Sequence, residues 1–139
     1  MFANLFLRKS SAETEEITAP LALAALMVRI AKSDDDYATA ECERIDAVLS
    51  VLYSLSTAQA SALRLRAEAL EADAPDTVRF TRAIKEEVPY EERFDVVRAL
   101  WQVVLADGAR DDEEDALMRL LASLLGVSDR DSAIARQQA

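Results

Sequence analysis

Two clusters of acidic residues are the parts of this sequence whose residue types and spacing could do chemistry. The richer cluster occupies positions 106–115 and reads ADGARDDEED, so six of its ten side chains are carboxylates. A sparser cluster, SDDDYATAE, occupies positions 33–41. Carboxylates held this close repel one another by roughly 1 kcal/mol or more per pair. Water and salt, backbone amides at a helix start, or a bound cation would offset that repulsion.

The richer cluster, which is the second in chain order, has the composition of a site for a hard cation. We call it the second cluster and the one at 33–41 the first cluster. Gly108 permits a tight bend that would bring the carboxylates of Asp107 and Asp111 together. Without histidine or an activated thiolate nearby, such oxygen ligands favour Ca²⁺ or Mg²⁺. The spacing is not that of an EF-hand. The predicted ligands here are Asp107, Asp111 and Glu114, with Asp112 or Glu113 in support.

The same residues also have the pattern of a helix start. Asp111 followed by Glu114 forms a capping box, and Asp112 and Glu113 would lie in the first turn, where the helix dipole favours negative charge. This interpretation accounts for Asp111 and Glu114. It does not account for Asp107 or for the number of acids beside it.

The first cluster is an incomplete copy of the second. A shift of 73 positions places Asp34 over Asp107 and Glu41 over Glu114. Ala38 stands where the second cluster has its central aspartate, and the glycine is also missing. Asp34 and Glu41 are therefore the predicted ligands of a second, weaker cation site.

The elements that must position these clusters are helices. The chain contains 2 Gly and 3 Pro, is rich in alanine, leucine, arginine and glutamate, and lacks strand-type runs. The periodicity predicts an all-α, compact multihelical bundle of about seven helices in two pseudo-repeated halves. Each half is a long apolar helix, an acidic turn and an amphipathic helix. We assign residues 1–14 to an N-terminal arm and 15–139 to a single domain, with pseudo-repeats at about 18–72 and 76–136.

Local signals predict several helix boundaries. Thr18 and Pro20 begin a helix that runs to about Lys32 and is apolar on most sides, which is typical of the middle of a bundle. Residues 56–59 (STAQ) form a capping box. Gly126 suits the left-handed position at the end of a helix. Trp101 shares a stripe with aliphatic residues and is predicted to be a core residue.

Charge and composition exclude several functions. The net charge of -10 disfavours nucleic acid and anionic membranes as partners. The chain has no histidine, and its single cysteine, Cys42, lies between two glutamates, which disfavours a reactive thiolate. No stretch is long enough for a transmembrane helix. We therefore expect a soluble, cytoplasmic protein that is not an enzyme.

Several landmarks resemble one family. The twofold pattern of apolar helix, Asp-Gly-x-x-Asp-x-x-Glu turn and amphipathic helix is similar to that of tellurite-resistance protein B (TerB-like) proteins. So are the stretches 78–82 (VRFTR), 90–93 (YEER), 100–101 (LW), 106–108 (ADG) and 124–129 (LLGVSD). The resemblance covers about residues 15–136 and implies two long helices at the centre of the fold. It also implies acidic clusters that bind metal, and a role in stress responses or membrane-linked complexes. Asp107, Gly108, Asp111 and Glu114 match the motif in full, whereas in the first half only Asp34 and Glu41 match.

Two functions of different classes follow. The first is a non-enzymatic helical module whose acidic turns bind divalent cations, in a stress-response context and with protein partners or peripheral association with a membrane complex. The alternative is an acidic protein–protein interaction scaffold without metal, whose turns serve only as helix starts. An enzyme is the third option and would have to rely on carboxylates and a metal.

Overall fold

The structure is a computed structural model that describes residues 17–33, 37–73, 76–107 and 112–139. These ranges contain seven α-helices, two 3₁₀ helices and no strand, which confirms the predicted all-α bundle. The α-helices are α1 (Ala19–Lys32), α2 (Thr39–Tyr53), α3 (Thr57–Asp73), α4 (Thr77–Glu87), α5 (Arg93–Val104), α6 (Asp112–Leu124) and α7 (Asp129–Gln138). The 3₁₀ helices are Tyr90–Glu92 and Leu105–Asp107, on either side of α5.

The predicted N-terminal arm, the joint around Pro75 and part of each acidic turn lie outside the described residues. Within those residues, no helix has both the length and the apolar composition that crossing a bilayer requires.

Helix α1 lies at the centre of the bundle. Eleven of its 14 residues are buried, because α3 and α4 pack along it and α2 and α5 contact it from further sides. A helix that is apolar on most faces needs such neighbours to remove its side chains from water. The prediction of a central helix is confirmed. Buried residues of both halves then complete one core, among them Ile45, Leu49, Phe80, Leu100, Met118, Leu121 and Leu125.

The N-terminus of α1 has two hydrogen-bond acceptors. Thr18 accepts a hydrogen bond from the Leu21 amide at 3.3 Å, as expected of an N-cap. Glu87, the last residue of α4, accepts another from the Ala19 amide at 3.1 Å. A carboxylate here satisfies an unpaired backbone donor and lies at the favourable end of the helix dipole. The end of α4 is thereby fixed to the start of α1.

The C-terminal end of α1 is joined to α3. Lys32 lies 2.9 Å from one carboxylate oxygen of Glu71, and Arg29 lies 3.7 Å from the other. Glu71 is buried, so its charge needs these two partners. Both cations occupy the last turn of α1, where they also complement the dipole.

The capping box predicted at the start of α3 is present. Ser56 Oγ accepts a hydrogen bond from the Gln59 amide at 3.1 Å, and Gln59 Oε1 accepts one from the Ser56 amide at 2.9 Å. Asp76 caps α4 and Ser128 caps α7 in the same way, each through its side chain. Four helices therefore begin directly after a short polar residue, whose side chain accepts a hydrogen bond from a backbone amide of the first turn.

The C-termini of α2 and α6 are both followed by a residue in the left-handed region. After α6, Gly126 has φ of 79°, and the amides of Gly126 and Val127 bond back to Ser123 and Ala122. These two hydrogen bonds form a Schellman motif and confirm the predicted cap. After α2 the left-handed position is occupied by Ser54, with φ of 54°.

We expect the two caps to respond oppositely to substitution. Gly126→Ala should destabilise the protein by about 1 kcal/mol, because a Cβ disfavours the left-handed region. Ser54→Gly should stabilise it by about 0.5 kcal/mol, because relief of the same strain exceeds the entropy that glycine adds to the unfolded chain. Urea unfolding followed by circular dichroism measures both. Equal effects of the same sign would contradict this account of the caps.

Stability should also fall at alkaline pH because of Tyr53. Burial, with a smaller contribution from the Glu87 charge, raises the pKa of Tyr53 to about 12. Its folded pKa exceeds the ordinary value of about 10, so its contribution to stability is complete below pH 10 and is lost as pH rises to about 12. Tyr53→Phe should flatten this part of the profile of unfolding free energy against pH. Tyr90→Phe, at an exposed tyrosine, is the matched control and should leave the profile unchanged.

Candidate functional site

The structure describes the predicted ligands unequally. Asp34 and Asp111 lie outside the described residues. Asp107 and Asp112 are described only through their backbones, which end the 3₁₀ helix and begin α6. Within residues 17–33, 37–73, 76–107 and 112–139, no group of three or more metal-binding side chains is assembled. The metal ligands therefore stay a prediction.

Glu41 and Glu114 are the two predicted ligands whose side chains are described. Both are buried, with 9% and 5% of their surface exposed. Each is the third residue of its helix and follows one of the acidic turns. Each also interacts with another group of the chain, as burial of a carboxylate demands. The two halves thus bury a glutamate at equivalent positions.

The two helices that carry these glutamates begin differently. Helix α6 starts at Asp112, so Asp111 directly precedes it and Glu114 has the spacing of a capping box. The N-cap of α2 is Ala38, which has no side chain that can cap. The burial of Glu41 therefore does not depend on a capping box with a polar N-cap.

The flanks of the two acidic turns meet in the fold. Helix α2, which follows the first turn, packs against the 3₁₀ helix that leads into the second. Arg44 of α2 donates a hydrogen bond from Nε to the Gln102 carbonyl oxygen at 3.2 Å, which links α2 to the last turn of α5. A shallow depression between them is lined by Ala40, Ala47, Leu105 and Ala106. The fold thus brings the start of α2 beside the residues that introduce the ADG sequence.

A polar network fixes the chain as it leaves the first turn. Tyr37 donates a hydrogen bond to Glu68 at 2.6 Å, and Arg64 contacts the same Glu68 oxygen at 2.7 Å. Arg64 also contacts Asp46 at 2.7 Å, and Ser61 donates to the other oxygen of Asp46 at 2.7 Å. Helices α2 and α3 are therefore joined by one guanidinium that bridges two carboxylates, an arrangement suited to the planar arginine fork.

The network shifts the protonation equilibria of its members in the expected directions. Burial and the hydrogen bond to Glu68 raise the pKa of the Tyr37 phenol, so its hydroxyl remains a donor. The hydrogen bond to Asp46 raises the pKa of Arg64. Cys42 is a half-buried free thiol whose hydrogen bond and charge interaction with Tyr37 also raise the Tyr37 pKa.

Trp101 is buried, with 7% of its surface exposed, which confirms its prediction as a core residue. Its indole Nε1 donates a hydrogen bond to Ser132 Oγ at 3.1 Å. The Arg136 guanidinium lies 4.9 Å from the centre of the ring, within the range of a cation–π contact. Helix α7 is thus fastened to α5 close to the second acidic turn.

Sequence reasoning missed the polar pairs within and between helices. Arg64 and Glu68 are four residues apart on α3, a spacing that could have indicated a pair. No local signal connects Asp46 to Arg64, or Trp101 to Ser132, because each pair joins different helices.

Comparison with protein families agrees with this architecture. A family model described as "Tellurite resistance protein TerB" matches residues 20–137, from the first turn of α1 to the last turn of α7. The matched region therefore includes both acidic turns and all seven described α-helices. Searches of curated proteins and of solved structures returned no match. The chain belongs to the TerB family.

Proposed function

We propose that this protein is a non-enzymatic helical module whose second acidic turn binds a hard divalent cation, Ca²⁺ or Mg²⁺. Asp107, Asp111 and Glu114 are the proposed ligands, and Asp112 supports them. The observation that carries the proposal is the burial of Glu114 and of its counterpart Glu41, each beside an acid-rich turn. Further acids repel a buried carboxylate and raise the electrostatic cost of burying it. A bound cation attracts the carboxylate and lowers that cost.

The first turn forms the weaker site in this proposal. Asp34 and Glu41 are its ligands, and the Tyr37 network holds the chain that leaves it. Because Ala38 replaces the central aspartate, this site has two proposed carboxylate ligands, whereas the second turn has three in addition to Asp112. Affinity for calcium decreases when a site has fewer charged ligands, so the second turn should bind a cation before the first turn does.

The cellular setting is inferred from membership of the TerB family. The name of the family associates it with tellurite resistance, and we propose a stress-response role of this kind without assigning tellurite as a ligand. The single free Cys42 fits a reducing, cytoplasmic compartment. The partners are proposed to be proteins, either free or within a membrane-associated complex.

Calorimetric titration of the metal-free protein tests the cation site. Ca²⁺ or Mg²⁺ should produce saturable heat and raise the melting temperature, because a ligand that binds only the folded state stabilises it. Asp107→Asn and Asp111→Asn should each weaken binding by about tenfold or more, since even outer partners of a metal site contribute that much. Glu91→Gln, an exposed acid on the first 3₁₀ helix, is the matched control and should bind as the parent does. Absence of heat, or equal affinities in all four proteins, would refute the proposal.

The alternative is an acidic scaffold without metal, and the net charge of -10 favours it. A basic polypeptide such as polylysine is a suitable probe. The scaffold predicts binding that disappears between low and high salt but is unaffected by a chelator. The cation-binding module instead predicts that Ca²⁺ or Mg²⁺ alters polylysine binding in the parent protein and not in Asp107→Asn. Fluorescence anisotropy of labelled polylysine separates the two.

A further inference from the structure

A second site candidate lies in a cleft bounded by α5, α6 and α7. Its volume is about 370 Å³. This is within the range of small-molecule pockets, and the space would hold roughly a dozen water molecules. The cleft is open to solvent and is lined by arginines as well as aspartates, one of which, Asp115, belongs to the acidic cluster at 106–115. Its main lining residues are Trp101, Asp115, Arg119, Asp129, Ser132 and Arg136.

The floor of the cleft is held by buried groups. Trp101 and Ser132 are each 7% exposed, and the hydrogen bond between them satisfies the indole donor. Because the indole is fixed on one side by Ser132 and covered by the Arg136 guanidinium, the floor is rigid before any ligand arrives. A preformed floor reduces the entropy that binding costs.

Two guanidiniums supply positive charge in this otherwise acidic protein. The Arg136 guanidinium lies 4.9 Å from the centre of the Trp101 ring, lines the cleft and is only partly buried, so its N–H groups are available for a planar acceptor. Arg119 is an exposed residue of α6 that also lines the cleft. Within the described ranges, neither arginine lies within 4.0 Å of a carboxylate oxygen. A carboxylate is the ligand group that fits a guanidinium edge of this kind.

Negative charge stands in the same cleft. Asp129 is exposed in the first turn of α7, and Asp115 lines the α6 side and already interacts with another group. A ligand that carried only negative charge would meet these aspartates and the field of a chain with net charge -10. A ligand with no net charge and both signs avoids that repulsion and can satisfy both kinds of side chain.

We propose that this cleft binds a small zwitterion that carries a carboxylate and an ammonium group, of the size of a free amino acid. Arg136, assisted by Arg119, receives the carboxylate, and Asp129 receives the ammonium group. The apolar part of the ligand lies against the rim of Trp101. None of the lining residues is a proposed metal ligand, although Asp115 belongs to the acidic cluster at 106–115, so the test below is made without free metal.

Fluorescence of Trp101, the single tryptophan of the chain, reports directly on the cleft. Titration with L-leucine, L-glutamine and L-serine, in the presence of a chelator, should give a saturable change for at least one of them, with a dissociation constant below about 1 mM. Acetate and methylammonium each carry one of the two charges and should not saturate in the same range. The chelator separates this test from the cation site.

Variants locate the response within the cleft. Arg136→Gln and Asp129→Asn should each weaken binding of the responding amino acid by about tenfold, because each removes a charge-assisted hydrogen bond. Arg130→Gln is the matched control, since Arg130 is an exposed arginine of the same helix that does not line the cleft. Chemical shifts of the amides of Ser132 and of Ala133, which also lines the cleft, provide a second measurement if Arg136→Gln alters the tryptophan signal by itself. Circular dichroism checks that each variant is folded.

Three results would overturn the proposal. The first is the absence of a saturable change in fluorescence and in the two amide shifts for all three amino acids. The second is saturation by acetate as tight as that by an amino acid, which would indicate a plain anion site. The third is binding by folded Arg136→Gln and Asp129→Asn with the affinity of the parent.

Discussion

The fold depends above all on the enclosure of α1. Its side chains are apolar on almost every face. Each Å² of apolar surface left in contact with water would therefore lose about 25 cal/mol of stabilisation. Four helices cover it, and alanines at positions 19, 22, 24, 25 and 31 let them approach closely. With so small a residue at these positions, the neighbouring backbones lie nearer to α1 than leucine would allow. The remaining helices are therefore arranged around α1.

At the two ends of the enclosed α1, the unpaired backbone N–H and C=O groups and the helix dipole need polar partners. At the N-terminus this is done by Thr18 and Glu87, and at the C-terminus by Ser33 together with Glu71 through its cations. These contacts tie α3 and α4 to opposite ends of the central helix. The C-terminal contacts also fix the point at which the chain enters the first acidic turn. Tyr37 then fixes the point at which it leaves, so both sides of the turn are anchored to α3.

Local chemistry made some of these features predictable from the sequence. Thr18, the 56–59 capping box and Gly126 act within one helical turn, so a short window contains all the information they need. The left-handed Ser54 was not predicted, because serine gives no such signal and the hydrogen bonds of α2 impose the conformation. The Arg64 bridge between Asp46 and Glu68 depends on the spacing of two helices and is equally invisible to a local pattern. The shift of 73 positions relates Glu41 to Glu114 at the helix starts, whereas the left-handed caps at 54 and 126 differ by 72.

Glu41 and Glu114 are buried at equivalent positions, so the interactions that could offset the cost of burying them can be compared. Removing a carboxylate from water costs several kcal/mol even after relaxation, whereas a helix dipole returns about 0.3–1 kcal/mol, and at most about 2 kcal/mol. The dipole alone is therefore insufficient for Glu41 and Glu114, and the groups with which they interact must cover part of the difference. A capping box with a polar N-cap cannot be the shared cause, since Ala38 precedes α2. What the two positions do share is an acidic turn directly before the helix. Without a cation, additional carboxylates make the burial of a glutamate less favourable. With a cation bound among them, the glutamate is attracted to the cluster, and this supports the proposal that the acidic turns bind a cation.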